Sequence, residues 1–332
     1  MLIVVFKRSN YQYWEALWRH CIKKATTIPL IMGKEKICIT GGSGLIGSHL
    51  TKFLLAEGYD VVHLSRNKNS KGRVKVYLWD YKKGHIESDA LKNCHHLIHL
   101  AGAGIAEERW TFKRKKVLIE SRVDSSAFLC QYIKENKIPI KTYITSSGIN
   151  LYSDQNDIVH DESSPAGEEF LSKLVYHWEK ASFELNDYCN VAQVRTSVVL
   201  DKHGGALKKI ADLVKLHLGS PVGSGKQWIP WIHHSDLCGI FLHIIRQELN
   251  GPFNAVADQH VNNAQFTRTI AKVLNKKMIL PKVPAAMITA AYGEMGSVVL
   301  QGVRASNQKI KASGFQFKYE NLETALNEIY GK

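Results

Sequence analysis

The sequence has no uncharged apolar run of the ~18 residues that a membrane-spanning helix needs, because charges interrupt every hydrophobic stretch. No membrane partner is expected. Its six cysteines (Cys21, Cys38, Cys94, Cys130, Cys189 and Cys238) never fall at CxxC spacing. That argues against a zinc site and a disulfide framework, and fits a reducing, cytoplasmic compartment. Internal repeats and low-complexity tracts are absent. Acid is in short supply: Lys and Arg total 44 against 30 Asp and Glu, a net charge of +14. Lys7, Arg8, Arg19, Lys23 and Lys24 against Glu15 put +4 of this in the first 31 residues, and the remainder is spread out, RWTFKRKK at 109–116 excepted. Charge so dispersed favours solubility and small anionic molecules over a nucleic-acid groove, so no nucleic-acid partner is expected.

What is present is a chain of 332 residues, 45% hydrophobic, long enough for one large domain or two ordinary ones. Residues 1–31 do not match the pattern of the remaining chain. Their apolar start, LIVVF, is too short for a secretory core and lacks an A-x-A pattern. The extension reads as a targeting segment, an amphipathic appendage or an upstream start; the last is preferred, with Met32 as the working start.

From there strands and helices alternate. KICIT (36–40), DVVHLSR (60–66), VKVYLWD (74–80), HLIHLAG (96–102), KTYITSS (141–147) and VAQVRTSVVL (191–200) read as strands. LIGSHLTKFLLAEG (45–58), a long stretch from Trp110 to Asn136, and FLSKLVYHWEKASFEL (170–185) read as helices. Such alternation implies an α/β, Rossmann-type doubly wound parallel sheet. The expected division is 32–203 for this domain and 204–332 for a smaller, mostly helical lobe, with some mixing of strands.

TGGSGLIG, residues 40–47, lies between the first strand and the first helix, the context a dinucleotide fingerprint requires. Gly41 permits a tight turn, Gly44 lets backbone approach a pyrophosphate, and Gly47 lets helix pack on sheet. Gly42, Ser43, Leu45 and Ile46 complete the turn, and the helix N-terminus offers N–H groups and partial positive charge to phosphates. An NAD site usually has an acid at the end of the second strand. Here Ser65 and Arg66 stand there, and Arg66 suits a 2′-phosphate. The expected cofactor is NADP(H).

The GxxGxxG spacing, LAG (100–102), TSS (145–147) and WIHHSD (231–236) resemble the extended short-chain dehydrogenase/reductase superfamily. Within it, LAGAGIAEERWTFKRKKVLIESRV (100–123), GSGKQWIPWIHHSDL (223–237), GPFNAVADQHVNNAQFTRTIAKVL (251–274) and GEMGSVVLQGVRASNQKIKASGFQF (293–317) are similar to the atypical epimerase-family branch with a C-terminal domain of unknown function. The resemblance covers about residues 35–330 and implies an NADP(H)-dependent oxidoreductase or epimerase-like enzyme. Its substrate would be a small molecule, a nucleotide sugar or a carbonyl compound, held between two lobes of a monomer or homodimer. It places Leu100, Ala101 and Gly102 beside ribose and pyrophosphate, Asp80 near adenine, and Arg122 within the cleft. Arg109, Trp110, Arg195, Trp231 and His233 fall on the substrate side, with Trp228 and Trp231 either stacking on a ligand or packing the lobes.

One expected feature is missing. The superfamily pairs a Ser or Thr with Tyr-x-x-x-Lys on the next helix, the lysine lowering the tyrosine's pKa. Ser147 matches the serine, with Ser146 as an alternative in register. Counting back from Glu179, Leu171 and Val175 occupy the tyrosine and lysine positions, while Lys173 and Tyr176 face elsewhere on a helix. Another acid/base (Tyr152, His234 or Asp236), a proton from water, or NADPH binding without turnover, as a regulator, each fits. No metal is expected: His233, His234 and Asp236 lack a third ligand at helical spacing. His95 and His96 read as surface residues, and RWTFKRKK as a solvated helix face.

Overall fold

Buried strands in parallel sheets are apolar on both faces, and Ile37, Cys38 and Ile39 of the first strand are all fully buried. Ile37 and Ile39 join one core layer and Cys38 the other. The computed structural model describes residues 34–68, 74–154 and 158–331; the first 31 residues and the Met32 start lie outside them. Its strands are β1 (Lys36–Thr40), β2 (Asp60–Ser65), β3 (Lys75–Asp80), β4 (His85–Ile86), β5 (His96–His99), β6 (Thr142–Gly148), β7 (Val159–His160), β8 (Asn190–Thr196), β9 (Val198–Leu200), β10 (Trp231–His233), β11 (Gly251–Ala255) and β12 (Arg304–Ala305).

The main sheet runs β11-β8-β6-β5-β1-β2-β3-β4, parallel except for the β3–β4 edge. The chain goes out from β1 through β2 and β3, then returns to the other side of β1 with β5. The crevice between β1 and β5 is therefore the switch point where such sheets bind ligands.

Two expectations need correcting. The run 191–200 is two strands, because the chain leaves the sheet at Ser197, whose hydroxyl donates to Ala255 O at 2.8 Å. β9 pairs instead with β10. His96 is not a surface residue: it lies inside β5 and is 2% exposed. β11, from beyond residue 204, pairs with β8 at one edge of the main sheet.

Helix α1 (Leu45–Ala56) buries Gly47, Leu50, Thr51 and Leu54, one stripe at helical spacing. The stretch expected as one helix is α2 (Phe112–Ile119) and α3 (Ser125–Glu135) joined by a π-helical turn, Glu120–Asp124. Such turns often mark functional sites. α4 (Phe170–Ser182) follows β7, and α5 (Gly205–Lys215) follows β9. α6 (His234–Arg246) packs Leu237, Phe241 and Ile244 into the same core layer as Leu50 and Leu54. α7 (Asn263–Val273), with a capping box between Asn262 and Gln265, joins Trp231, Leu207 and Leu326 in a separate lobe core. Then come α8 (Ala285–Tyr292) and three short helices ending at Tyr330.

A Cβ at residue 47 would lie 2.3 Å from Gly41 O and 2.6 Å from Gly42 Cα, both main-chain atoms that cannot swing away. Gly47→Ala is therefore expected to cost about 1–3 kcal/mol of overpacking. At Gly148 the atom nearest to an added methyl would be Val175 Cγ2, at an ordinary contact distance of 3.6 Å, so Gly148→Ala should be close to neutral. Urea unfolding of both variants checks the contrast; equal stability would show that the turn relaxes.

Candidate functional site

The glycine turn closes on the loop after β5 at main-chain distance. Gly41 takes φ +70°, and a Cβ there would stand 2.9 Å from Ala101 N. Thr40 Oγ1 accepts from both Leu100 N and Ala101 N at 3.1 Å, fixing that loop to the strand end. Helix α1 starts at Gly44 with no side-chain cap, so its first-turn N–H groups keep their binding capacity. A phosphate suits them. This cradle, which side chains would fill, fits a dinucleotide.

Thr40 also orients a neutral histidine. Having accepted two N–H groups, its hydroxyl donates to His99 Nδ1 at 2.6 Å. The Nε2–H of His99 then donates to Ser125 Oγ at 3.0 Å, which donates to Ser121 O. Burial, then the nearby Arg122, pushes the His99 pKa down to about 3.

A cavity of about 630 Å³ opens beside this turn. Ile46, Leu100 and Gly102 line its cofactor end, and Leu171, Leu174, Val175 and Trp178 of α4 form one wall. Leu171 and Val175 thus face the cavity, as counting from Glu179 requires, whereas Lys173 and Tyr176 are exposed and outside it. Trp110 and Trp228 also line it.

The two hydroxyls singled out from sequence lead into a buried polar network. Ser147 Oγ donates to Glu179 Oε1 at 2.5 Å. Arg195 forks onto Glu179, Nε to Oε1 at 2.9 Å and Nη2 to Oε2 at 2.8 Å. Its Nη1 donates to Tyr152 Oη at 2.8 Å, and Tyr152 donates to Asn254 Oδ1 at 2.8 Å. Burial, against the pull of Arg195, drives the Tyr152 pKa up to about 12. Both hydroxyl protons are engaged within the protein. Ser146, its alternative in register, also lines the cavity.

The π-helical turn grips the loop opposite. Ser121 Oγ accepts from Ala103 N at 3.1 Å, and Arg122 Nη2 donates to Ala103 O at 2.8 Å. Arg122 lies over the Trp178 ring at 5.4 Å and against Gly102. Burial, then repulsion from Arg114, lowers its pKa to about 10, still charged at neutral pH. Asp154, which sequence reasoning missed for want of any motif, lines the same cavity. Burial raises its pKa; the Gly302 N–H opposes this and Glu169 reinforces it.

Residues 37–278 match the model of the NAD dependent epimerase/dehydratase family. The chain belongs to that family. Residues 283–329 match a domain of unknown function, DUF1731. The human epimerase family protein SDR39U1 is 33% identical over 89% of this chain and 99% of its own. Its crystal structure with NADPH superposes with a TM-score of 0.82 at 31% identity, covering 90% of this chain and 99% of that one. A structure described as a nucleoside-diphosphate sugar epimerase from Corynebacterium glutamicum has a TM-score of 0.72 at 28% identity, over 90% of this chain and 59% of that one.

Within this family member, the remaining candidates are distributed unevenly. Arg66 is exposed just past β2, beside Ser65, whose hydroxyl accepts from Asn67 N. Asp80 ends β3 and caps the next turn through Lys82 N at 3.0 Å. Trp110 joins the cavity wall, its Nε1 donating to Ile105 O. Arg109 lies outside the lining, donating to Ala290 O of α8, and Lys115 pairs with Glu294, so α2 meets the C-terminal lobe at the cavity edge. In RWTFKRKK only part is solvated, for Arg114 is buried against Gly104 O and two glutamates.

Three placements on the substrate side are corrected. Trp231 is fully buried in the lobe core, its Nε1 donating to Gln259 O. His233 is 1% exposed, caps α6 and meets Glu328 at 2.9 Å. Arg195 belongs to the buried network, outside the lining. Asp236 accepts from Lys318 N and Tyr319 N and never meets His234. His234 instead meets His49 and Asp201, residues far apart in sequence, which explains why spacing gave no hint of them.

Two outcomes are expected. Arg195→Met leaves the Glu179 carboxylate buried without its cation and should cost about 3–5 kcal/mol, much of it recovered in Arg195→Met/Glu179→Leu; a double variant no better than the single, by urea unfolding, would contradict the pairing. The second concerns pH. His99 and His233, whose pKa burial and then His234 lower to about 4, stay neutral when folded. The unfolded chain binds protons first, so stability is full above pH ~6.5 and falls below it. Between pH 7.5 and 5.5 the loss should be about 1 kcal/mol for each such histidine. His99→Gln should flatten the profile, and an unchanged slope would show His99 protonated in the folded state.

Proposed function

We propose that the chain is an NADPH-dependent reductase of a small, uncharged, largely apolar carbonyl compound. The observation that carries the substrate class is the cavity's charge. Among its described lining residues the one cation is Arg122, against the carboxylates Asp154, Glu169 and Glu294. A nucleotide sugar would bring a diphosphate into that field without the basic groups that diphosphates are usually given. Tryptophans 110, 178 and 228 with Leu171 and Val175 offer apolar surface instead.

The cofactor reading rests on the uncapped α1 N-terminus, on Arg66 where an NAD site would carry an acid, and on the human relative solved with NADPH. Gly41, Gly42, Ser43 and Gly44 would hold the pyrophosphate with the N–H groups of Leu45 and Ile46, and Ser65 with Arg66 the 2′-phosphate. Bound NADPH supplies hydride. The protein's part is to exclude water with the apolar α4 wall and to supply a proton. Asp154, which lines the cavity and whose pKa burial raises, would take that role where Leu171 replaces the tyrosine.

A second reading, an NADPH-binding regulator without turnover, is favoured by one observation: the Ser147 and Tyr152 protons are already engaged.

The test is calorimetric titration of the full chain with NADPH and NADH, followed by NADPH absorbance with aliphatic and aromatic ketones and aldehydes and with nucleotide sugars. Arg66→Asp should lower the preference for NADPH about tenfold or more, since a bond to a charged group is worth ~1.5–3 kcal/mol. Ketone or aldehyde turnover that falls in Asp154→Asn supports the reductase. Turnover confined to nucleotide sugars overturns the substrate class, and binding without turnover leaves the regulator.

A further inference from the structure

Outside the cavity, the structure brings together three metal-ligating side chains from three separate elements. His49 lies on α1, Asp201 just beyond β9, and His234 at the start of α6. One ligand atom from each lies within 4.8 Å of the others. We infer that His49, Asp201 and His234 form a binding site for a divalent transition metal of the zinc class, independent of the cofactor reading.

The donor set is two imidazole nitrogens and one carboxylate oxygen, a set that zinc accepts with a fourth position left for water. Each group is also oriented as a ligand would be. His234 Nδ1 stands 3.2 Å from Leu200 O, an atom that can only accept, so Nδ1 carries the proton and Nε2 keeps its lone pair. Asp201 Oδ1 accepts from His203 N at 2.6 Å, which leaves Oδ2 toward the histidines. Backbone partners of this kind are what fix the rings and carboxylates of metal sites. His49 Nε2 meets Asp201 Oδ2 at 2.5 Å, and the two imidazole rings lie 4.2 Å apart, centroid to centroid. A metal would replace the shared proton between His49 and Asp201 and draw all three donors to one centre.

Burial is graded in a way that suits uptake. Asp201 is buried, while His49 and His234 are each partly exposed, so an ion and a solvent ligand have access. The consequence is mechanical. α1, whose N-terminus faces the glycine turn, would be clamped to the segment that leads into α5 and the C-terminal lobe, where Gly204 already packs against Leu45.

The experiment uses the full chain, treated with chelator and dialysed, then titrated calorimetrically with zinc chloride alone. One ion per chain is expected, and cobalt(II) in its place should give the visible absorption of a tetrahedral centre. His49→Ala and His234→Ala should each weaken binding by at least about tenfold, whereas His217→Ala, an exposed histidine elsewhere, should leave it unchanged. Circular dichroism establishes that each variant is folded, and His49→Ala, altering a partly exposed helix position, serves if His234→Ala does not fold. No uptake by the folded chain, or uptake that survives both histidine replacements, would overturn the site.

Discussion

The structure depends on main chain meeting main chain where β1 and β5 end. Gly41 and Gly47 let the turn fold back on itself and against Ala101 with no side chain between. Thr40 then fastens the opposite loop through two N–H groups, and its remaining proton sets the tautomer of His99. One threonine thus couples the shape of the glycine turn to the tautomer of a core histidine. Because Thr40 and His99 are fully buried, the cradle is preorganised, and little ordering is left for a ligand to impose.

The second constraint is the Glu179–Arg195 fork. It spans helix α4 and strand β8, and collects the Ser147 and Tyr152 hydroxyls. Buried ion pairs are weak sources of stability but strong sources of position. Here position matters, because Glu179 fixes the rotation of α4 and so turns Leu171 and Val175 toward the cavity. The helix on which the family resemblance implies a proton relay presents an apolar wall to the cavity in this chain. The same fork that holds the wall in place engages the hydroxyls that remained.

Legibility in the sequence followed distance along the chain. The glycine turn is eight contiguous residues whose meaning is local, and the register of α4 followed from four-residue spacing back from Glu179. Both were readable. The burial of Trp231 and His233 was not, because it depends on α7 and the last helix arriving over β10. The break at Ser197 was equally hidden: VAQVRTSVVL is apolar enough to be one strand, and only pairing with β10 takes its second half away. Asp154 carries no motif, and its raised pKa comes from folding, which removes water from it and brings Glu169 near. His49, Asp201 and His234 repeat the lesson most sharply. Adjacent His233 and His234 drew attention to each other and to Asp236, while the real neighbours came from distant elements.

The chain's charge and the cavity's charge point in opposite directions, and this is informative about recognition. A net +14 would suit anionic ligands if it were focused at the site. It is not, for the described cavity lining carries three carboxylates and a single guanidinium that already rests on Trp178 and Ala103 O. On the proposed reading, phosphate affinity is confined to the cradle, where N–H groups and Arg66 would supply it, and the inner cavity is left to apolar contact. A cofactor held by its phosphates at one end and a neutral substrate held by tryptophan faces at the other need not compete for the same positive groups. On that reading the basic excess of the chain stays outside the substrate space, whose described lining has more carboxylates than cations.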